Sequence, residues 1–146
     1  YVSIGGGGLI SGIGSVLKAF SPKTRVVGVS AKNSAELAAS IRAGKMVKVD
    51  HHETLADGCA GGVDSDTITL GLGSEVIDDL IDCSEQQIKS GLQQIAWSEK
   101  MLVEGSAGLA YAAWQEDAQK NKNKISAVVL CGANFDKETL SPIVNS

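Results

Sequence analysis

The sequence predicts an α/β fold: an open, mostly parallel twisted sheet with helices on both faces. Three observations predict it. Two continuous apolar runs, residues 25–30 (RVVGVS) and 126–131 (SAVVLC), have the composition of strands covered on both faces. Segments with apolar residues at helical spacing lie between strand-like ones, so strands and helices alternate. Glycines gather at the turns that join the two kinds of segment.

Taken in order, residues 1–4 read as the end of a strand, cut off by Gly5, Gly6, Gly7 and Gly8. Leu9, Ile13, Val16, Leu17 and Phe20 then recur at helical spacing, and Ser21-Pro22 stops that helix. After the strand at 25–30, residues 33–43 read as a helix. Ala35, Leu37, Ala38 and Ile41 are available for its buried side, and Gly44 closes it. A short strand is expected at 46–49 and a short helix at 53–60. Residues 61–73 read as a loop, with strand character at 67–70. A strand is expected at 76–82. Ser84-Glu85-Gln86-Gln87 is a capping box, and the helix it opens carries Ile88, Leu92, Ile95 and Ala96 on one face. A further helix covers 105–118, whose Ala107, Gly108, Ala110, Ala112 and Ala113 imply close packing. A polar loop at 121–124 leads into the strand at 126–131.

Composition narrows the function classes. The 146 residues include 17 glycines and 2 prolines without a G-X-Y period, and 43 % are hydrophobic, which excludes collagen and a disordered low-complexity chain. The length suits a single domain, residues 1–146. The net charge of -4 disfavours nucleic acid as a partner. No apolar run is long enough to cross a membrane. Cys59, Cys83 and Cys131 are odd in number and widely spaced, which argues against a disulfide framework or a zinc site and for reduced thiols in the cytoplasm. The chain opens on Tyr1, already within a strand, so it is expected to be part of a longer polypeptide.

Four segments carry candidate chemistry. Gly5, Gly6, Gly7 and Gly8 stand between a strand and a helix. Backbone without side chains can approach an anion closely, and the helix behind aims free N–H groups at it. Four glycines exceed what a tight turn needs, so phosphate is the expected ligand. Neither the G-x-G-x-x-G nor the P-loop spacing is completed. The second segment is the strand ending in Cys131-Gly132-Ala133-Asn134. In open α/β sheets ligands gather at the carboxyl ends of strands, although Cys131 taken alone reads as a buried structural cysteine. In the third, Glu104 precedes Gly105 at a helix start, where on its own it would complement the helix dipole. The fourth is Glu53-Thr54-Leu55-Ala56-Asp57-Gly58, where Asp57 reads as turn chemistry. Adjacent His51 and His52 seldom converge on one metal ion, and Asp64, Ser65 and Asp66 lack the other ligands of a calcium loop.

In this order the motifs GGGGLISG, GVSAKNSAELAASI, ETLADG, LVEGSAGLAYAA and VVLCGANFD resemble the C-terminal half of the serine/threonine dehydratase family, which includes serine racemases. The resemblance runs from Val2 to about Asp136. It implies a pyridoxal 5′-phosphate enzyme of the tryptophan-synthase-β-like fold (fold type II). By position it implies that Gly5, Gly6, Gly7 and Gly8 bind the cofactor phosphate through backbone amides. Cys131 would hydrogen-bond the pyridine nitrogen, Gly58 would flank the ring, and Glu104 would stand near the ring and the substrate pocket. Asn134 would be structural. A neutral partner such as a thiol leaves the pyridine nitrogen unprotonated, which tempers the electron sink and favours β-elimination.

Two departures accompany the resemblance. It implies a divalent-cation site at Ser30, Ser34 and Glu36, but serine at the first position removes a charged ligand that a hard cation would want. The lysine that forms the Schiff base in the family lies upstream of Tyr1, and no lysine here stands in its place. The expectation is therefore the C-terminal part of a lyase that takes water from a hydroxy amino acid, giving a 2-oxo acid and ammonia, and that is inactive alone. The chain stops soon after the VVLCGAN motif, which points to a short catabolic type or a racemase. A serine racemase-type isomerase is the alternative. A non-catalytic phosphate-binding or self-associating module is the alternative of another class. An exposed sheet edge makes a homo-oligomer the expected state.

Overall fold

The structure, a computed structural model, describes residues 1–145. Three parallel strands stand in the order β1 (Val2–Ser3), β2 (Val27–Ala31), β3 (Asp79–Cys83). Val2 lies opposite Gly28, and β2 pairs with β3 from Val27 opposite Asp79 to Ala31 opposite Cys83. All five residues of β2 are buried, as its apolar run predicts for a central strand.

Helices cover both faces. On one side Ile10 of α1 (Gly8–Phe20) and Leu37 of α2 (Glu36–Ala43) share a core with Val2, Ile4 and Val26. On the other, Val27, Val29 and Ala31 pack with Ile88 and Leu92 of α4 (Glu85–Gln94) and Ala107, Leu109 and Ala112 of α5 (Gly105–Glu116). Val27, Val29 and Ala31 thus face one core, while Gly28 of β2 leaves room for Ile4 and Ile10 of the other, so the sheet is the middle of a three-layer α/β arrangement. The helices α4 and α5 approach closely because glycine sits at their contact. A Cβ on Gly91 would stand 2.6 Å from the Gly108 carbonyl oxygen. The capping box is formed: the Gln87 N–H reaches Ser84 Oγ, and Gln87 Oε1 accepts the Ser84 N–H.

Several expected elements differ. Residues 67–70 do not form a strand; Thr69 and Leu70 open helix α3 (Thr69–Val76). Packing decides this, since Gly73 comes against Ile41 of α2 and Val76 against Gly14 of α1. The strand expected at 76–82 is displaced to Asp79–Cys83, because Val76 belongs to the helix and Asp78 and Asp79 both donate their N–H groups to Val26. No strand forms at 46–49, where Val47 is instead tied to the Ser40 hydroxyl. The helix expected at 53–60 shrinks to one 3-10 turn, Asp57–Cys59. The start of α2 moves from 33 to Glu36, since Ala31 to Ser34 is a tight bridged turn.

Residues 126–131 run beside β1 but do not make a ladder. Among the described residues their backbone hydrogen bonds go to Tyr1, whose N-terminal nitrogen reaches the Ala127 carbonyl at 2.8 Å and whose carbonyl accepts the Val129 N–H at 3.0 Å. Ser126, Val128, Val129 and Leu130 are correspondingly half-buried rather than fully buried, and Ala127 and Cys131 are exposed. The helix at 105–118 ends at Glu116, and a short α6 (Ala118–Asn121) follows. Two elements have no counterpart in the sequence reading: a π-type turn at Ile95–Glu99 and helix α7 (Lys137–Val144), capped by the Asp136 carboxylate accepting the Thr139 N–H.

Candidate functional site: a glycine-lined cavity

The glycine loop joins β1 to α1. Gly7 holds φ at +83°, a conformation open to glycine, and no side chain caps the helix. The free N–H groups of the first turn therefore remain available to an anion. A Cβ on Gly7 would meet Leu37 at 2.4 Å, whereas one on Gly6 or Gly8 would meet nothing within 4 Å. Gly6 and Gly8 thus face open space, the arrangement a backbone cradle requires.

That space is a cavity of about 210 Å³. Gly5, Gly6, Gly7, Gly8, Gly58, Glu104 and Cys131 all line it. Seven sequence-predicted residues, drawn from four distant segments, therefore converge at the carboxyl end of β1. Ser3, Leu9, Cys59 and Ser106 complete the wall. No lysine is among the lining residues. A larger cavity, about 470 Å³, lies near Tyr1, Lys23, Arg25 and Ile125 and holds none of the predicted site residues.

The turn Asp57–Cys59 closes one side. The Asp57 carboxylate accepts the Gly58 N–H at 2.8 Å, the turn chemistry expected of it. A Cβ on Gly5 would stand 3.1 Å from the Cys59 Cα, and one on Gly58 would stand 3.0 Å from both Glu104 Oε1 and Ser106 Oγ. Glycine at 5 and 58 keeps this slot open. Opposite, Glu104 precedes α5 and is anchored at two points. Its N–H reaches the Gly132 carbonyl at 3.2 Å, and its Oε2 accepts the Asn134 N–H at 3.0 Å. Its role is thus more than a dipole complement, since it also fixes the 132–134 turn. The exposed Cys131 thiol at the cavity edge departs from the buried structural cysteine that its lone position suggested. Cys83 is the buried thiol instead, and burial pushes it up to about 11.

Ser106 was missed in the sequence. It is 3 % exposed, and its hydroxyl has no hydrogen-bond partner among the described residues. Its only signal was a hydroxyl in a run of alanine and glycine that otherwise reads as helix packing.

Ser34 and Glu36 come together elsewhere. Glu36 is 1 % exposed at its side chain; its Oε1 accepts the Val63 N–H at 2.9 Å and Lys48 Nζ lies 3.2 Å away. His51 bridges the two residues, Nε2 to Glu36 Oε2 at 3.0 Å and Nδ1 to Ser34 Oγ at 2.9 Å. The Val63 N–H first, then His51, hold the Glu36 carboxyl down at about 2. The lone pairs a cation would need are thus engaged by donors of the chain itself. Ser30 Oγ is buried and has no hydrogen-bond partner among the described residues. His52 donates its backbone N–H to the Asn33 carbonyl. Among the described residues no group of three or more His, Cys, Asp or Glu is placed to share an ion. No described helix is long and apolar enough to cross a membrane.

The profile of pyridoxal-phosphate dependent enzymes matches residues 1–132. The chain belongs to the pyridoxal-phosphate dependent enzyme family. Within it, similar curated proteins include the L-threonine ammonia-lyase of Thermotoga maritima, 31 % identical over 99 % of this chain and 35 % of the relative. The catabolic L-threonine dehydratase of Escherichia coli is 33 % identical over 97 % and 44 %. The serine racemase of Schizosaccharomyces pombe is 32 % identical over 94 % and 42 %. Among solved structures, maize serine racemase superposes with a TM-score of 0.84 at 29 % identity, over 97 % of this chain and 44 % of that one. The processed threonine deaminase isoform 2 of Solanum lycopersicum gives 0.85 at 26 %, over 99 % and 42 %. The chain thus spans about a third to under half of the length of these family members.

The cavity fits the family's cofactor on its own observations. Gly6 and Gly8 leave room for a phosphate before an uncapped helix, and a buried hydroxyl awaits a partner beside the slot.

Proposed function

We propose that the chain supplies the cofactor-cradling half of a lyase that removes water from a β-hydroxy amino acid, the dehydrated product then being hydrolysed to a 2-oxo acid and ammonia. The carrying observation is the convergence of the tetraglycine loop, Gly58, Glu104 and Cys131 on one cavity. In this reading Gly5, Gly6, Gly7 and Gly8 grip the phosphate with backbone N–H groups and the positive end of α1. Gly58 would leave bare backbone beside the ring. Cys131 would hold the pyridine nitrogen through its thiol, which carries no carboxylate to keep a proton there. Bound in this cavity, pyridoxal phosphate supplies the electron sink that makes the α-proton of a substrate removable. Glu104 Oε2 is engaged by Asn134, which leaves Oε1, on the Gly58 side, as the carboxylate oxygen that would meet a substrate beside the ring.

The amine that joins the cofactor has no source in the cavity wall, so turnover needs a lysine from elsewhere in an assembled enzyme. Self-association and a cytoplasmic location belong to the same proposal; three unpaired cysteines support the latter. A serine racemase-type isomerase is the second reading, favoured by the likeness to serine racemases in both sequence and structure. The source of the amine is tested by incubation of the chain with pyridoxal phosphate, borohydride reduction and peptide mapping. The expected result is no stoichiometric label at any one lysine. Specific labelling with dehydratase activity would overturn the assignment of the amine to another segment.

A further inference from the structure

Ser106 is a buried hydroxyl that the reading above leaves unused. It is 3 % exposed, lines the glycine cavity and has no hydrogen-bond partner among the described residues. A buried hydroxyl without a partner costs free energy, and here the neighbouring residues do not relieve it. Helix α5 could satisfy it by back-bonding to a carbonyl one turn earlier, as serines in helices do, but Ser106 stands in the first turn and has no such carbonyl.

Its neighbours fix which end of the cavity it serves. The space at Gly58 is bounded by Ser106 Oγ and Glu104 Oε1, each 3.0 Å from where a Cβ would stand. Glu104 in turn fills the space beside Gly132, next to Cys131. The loop glycines have different neighbours: Cys59 at Gly5, and Leu37 and Thr69 at Gly7. Ser106 therefore stands beside Gly58 and Glu104, and it is not among the nearest atoms to any of the four loop glycines.

We propose that Ser106 is a ligand-positioning residue whose hydroxyl donates a hydrogen bond to an acceptor on the heteroaromatic ring of the bound cofactor, not to its phosphate. The inference rests on the reading of the cavity as the pyridoxal phosphate site. A hydroxyl is a stronger donor than the thiol of Cys131, and this one is already desolvated, so its bond is directional and carries no further cost of burial. It sets the in-plane orientation of the ring while the glycine loop holds the phosphate.

The test uses the full chain with two probes, pyridoxamine 5′-phosphate, which cannot form an imine with lysine, and inorganic phosphate. Affinities of wild type and Ser106→Ala are measured by pyridoxamine fluorescence and by calorimetry, together with the thermal midpoint of each protein without ligand. The expected result is about ten-fold weaker pyridoxamine phosphate binding and a shifted emission of the bound ring in Ser106→Ala. Phosphate affinity stays unchanged, and the ligand-free midpoint stays equal or rises. Equal binding of pyridoxamine phosphate by both proteins would overturn the role of Ser106 alone. Equal loss for both probes would move the contact to the phosphate and overturn the assignment to the ring. A lower ligand-free midpoint would make Ser106 structural. Failure of the wild type to hold either probe would overturn the reading of the cavity itself, and this inference with it.

Discussion

Gly132 makes the space that Glu104 occupies: a Cβ at position 132 would stand 2.2 Å from the Glu104 carboxyl carbon and 2.4 Å from each of its oxygens. Gly132 also holds φ at +103°, where side chains are strained. Gly132→Ala is therefore expected to destabilise by roughly 2–3 kcal/mol, a fall in Tm of about 5–10 °C. The double variant with Glu104→Ala should recover the steric part and leave the strain. Thermal melts of the two variants separate the contributions, and a Gly132→Ala midpoint equal to wild type would show that the turn is free to move aside.

Gly6 offers the opposite case, since a Cβ there meets open space. Gly6→Ala should fold with a midpoint within about 2 °C of wild type. Gly6→Asp should fold equally well but lose inorganic phosphate binding at least ~10-fold, because its charge would occupy the cradle. Phosphate titrations of both variants check this, and unchanged affinity in Gly6→Asp would remove the phosphate from this loop.

Glu36 links stability to pH. Its carboxyl is held at about 2, below its ordinary value of 4.5, by the Val63 N–H, His51 and Lys48. A lowered carboxylate contributes stability that is fully present above the ordinary value and is lost as pH falls through about 2. Between pH 5 and pH 2 the wild type should lose stability to which Glu36→Gln is blind. The difference in Tm between the two proteins should shrink by about 5 °C or more over that range. Parallel melting curves against pH would show otherwise.

Cys131 is exposed, so Cys131→Ala should leave the fold unchanged. In an enzyme assembled with its lysine, cofactor content should also hold, while turnover slows by about 5–10-fold through loss of one hydrogen bond to the ring. Turnover equal to wild type would separate Cys131 from the chemistry.

The parts of the fold that follow from local chemistry were legible in the sequence. The capping box at Ser84, the glycine cradle before α1 and the central strand β2 depend on residues adjacent in the chain, and each stands where its motif puts it. Elements decided by distant partners were not legible. The Thr-Ile-Thr-Leu run at 67–70 has the composition of a strand, yet contacts with α1 and α2 draw Thr69 onward into a helix. The SAVVLC run looks the same whether or not it forms a ladder, and only its two bonds to Tyr1 decide the matter. The Asp136 cap of α7 was a readable signal, but only Leu140 and Ile143 of that helix are buried, too sparse an apolar pattern to announce it. For the cavity, motif order picked out the glycines, Glu104 and Cys131 that line it. Ser106 escaped because its significance lies in lacking a partner, which a sequence does not display.

The cavity wall is drawn from positions 3–9, 58–59, 104–106 and 131, which are tens of residues apart. No short stretch of the chain can hold the ligand, so the pocket exists only once these long-range closures are complete. Folding and the capacity to bind are then one event. A cavity ligand will select the native state from the unfolded ensemble and raise the unfolding midpoint with the logarithm of its concentration.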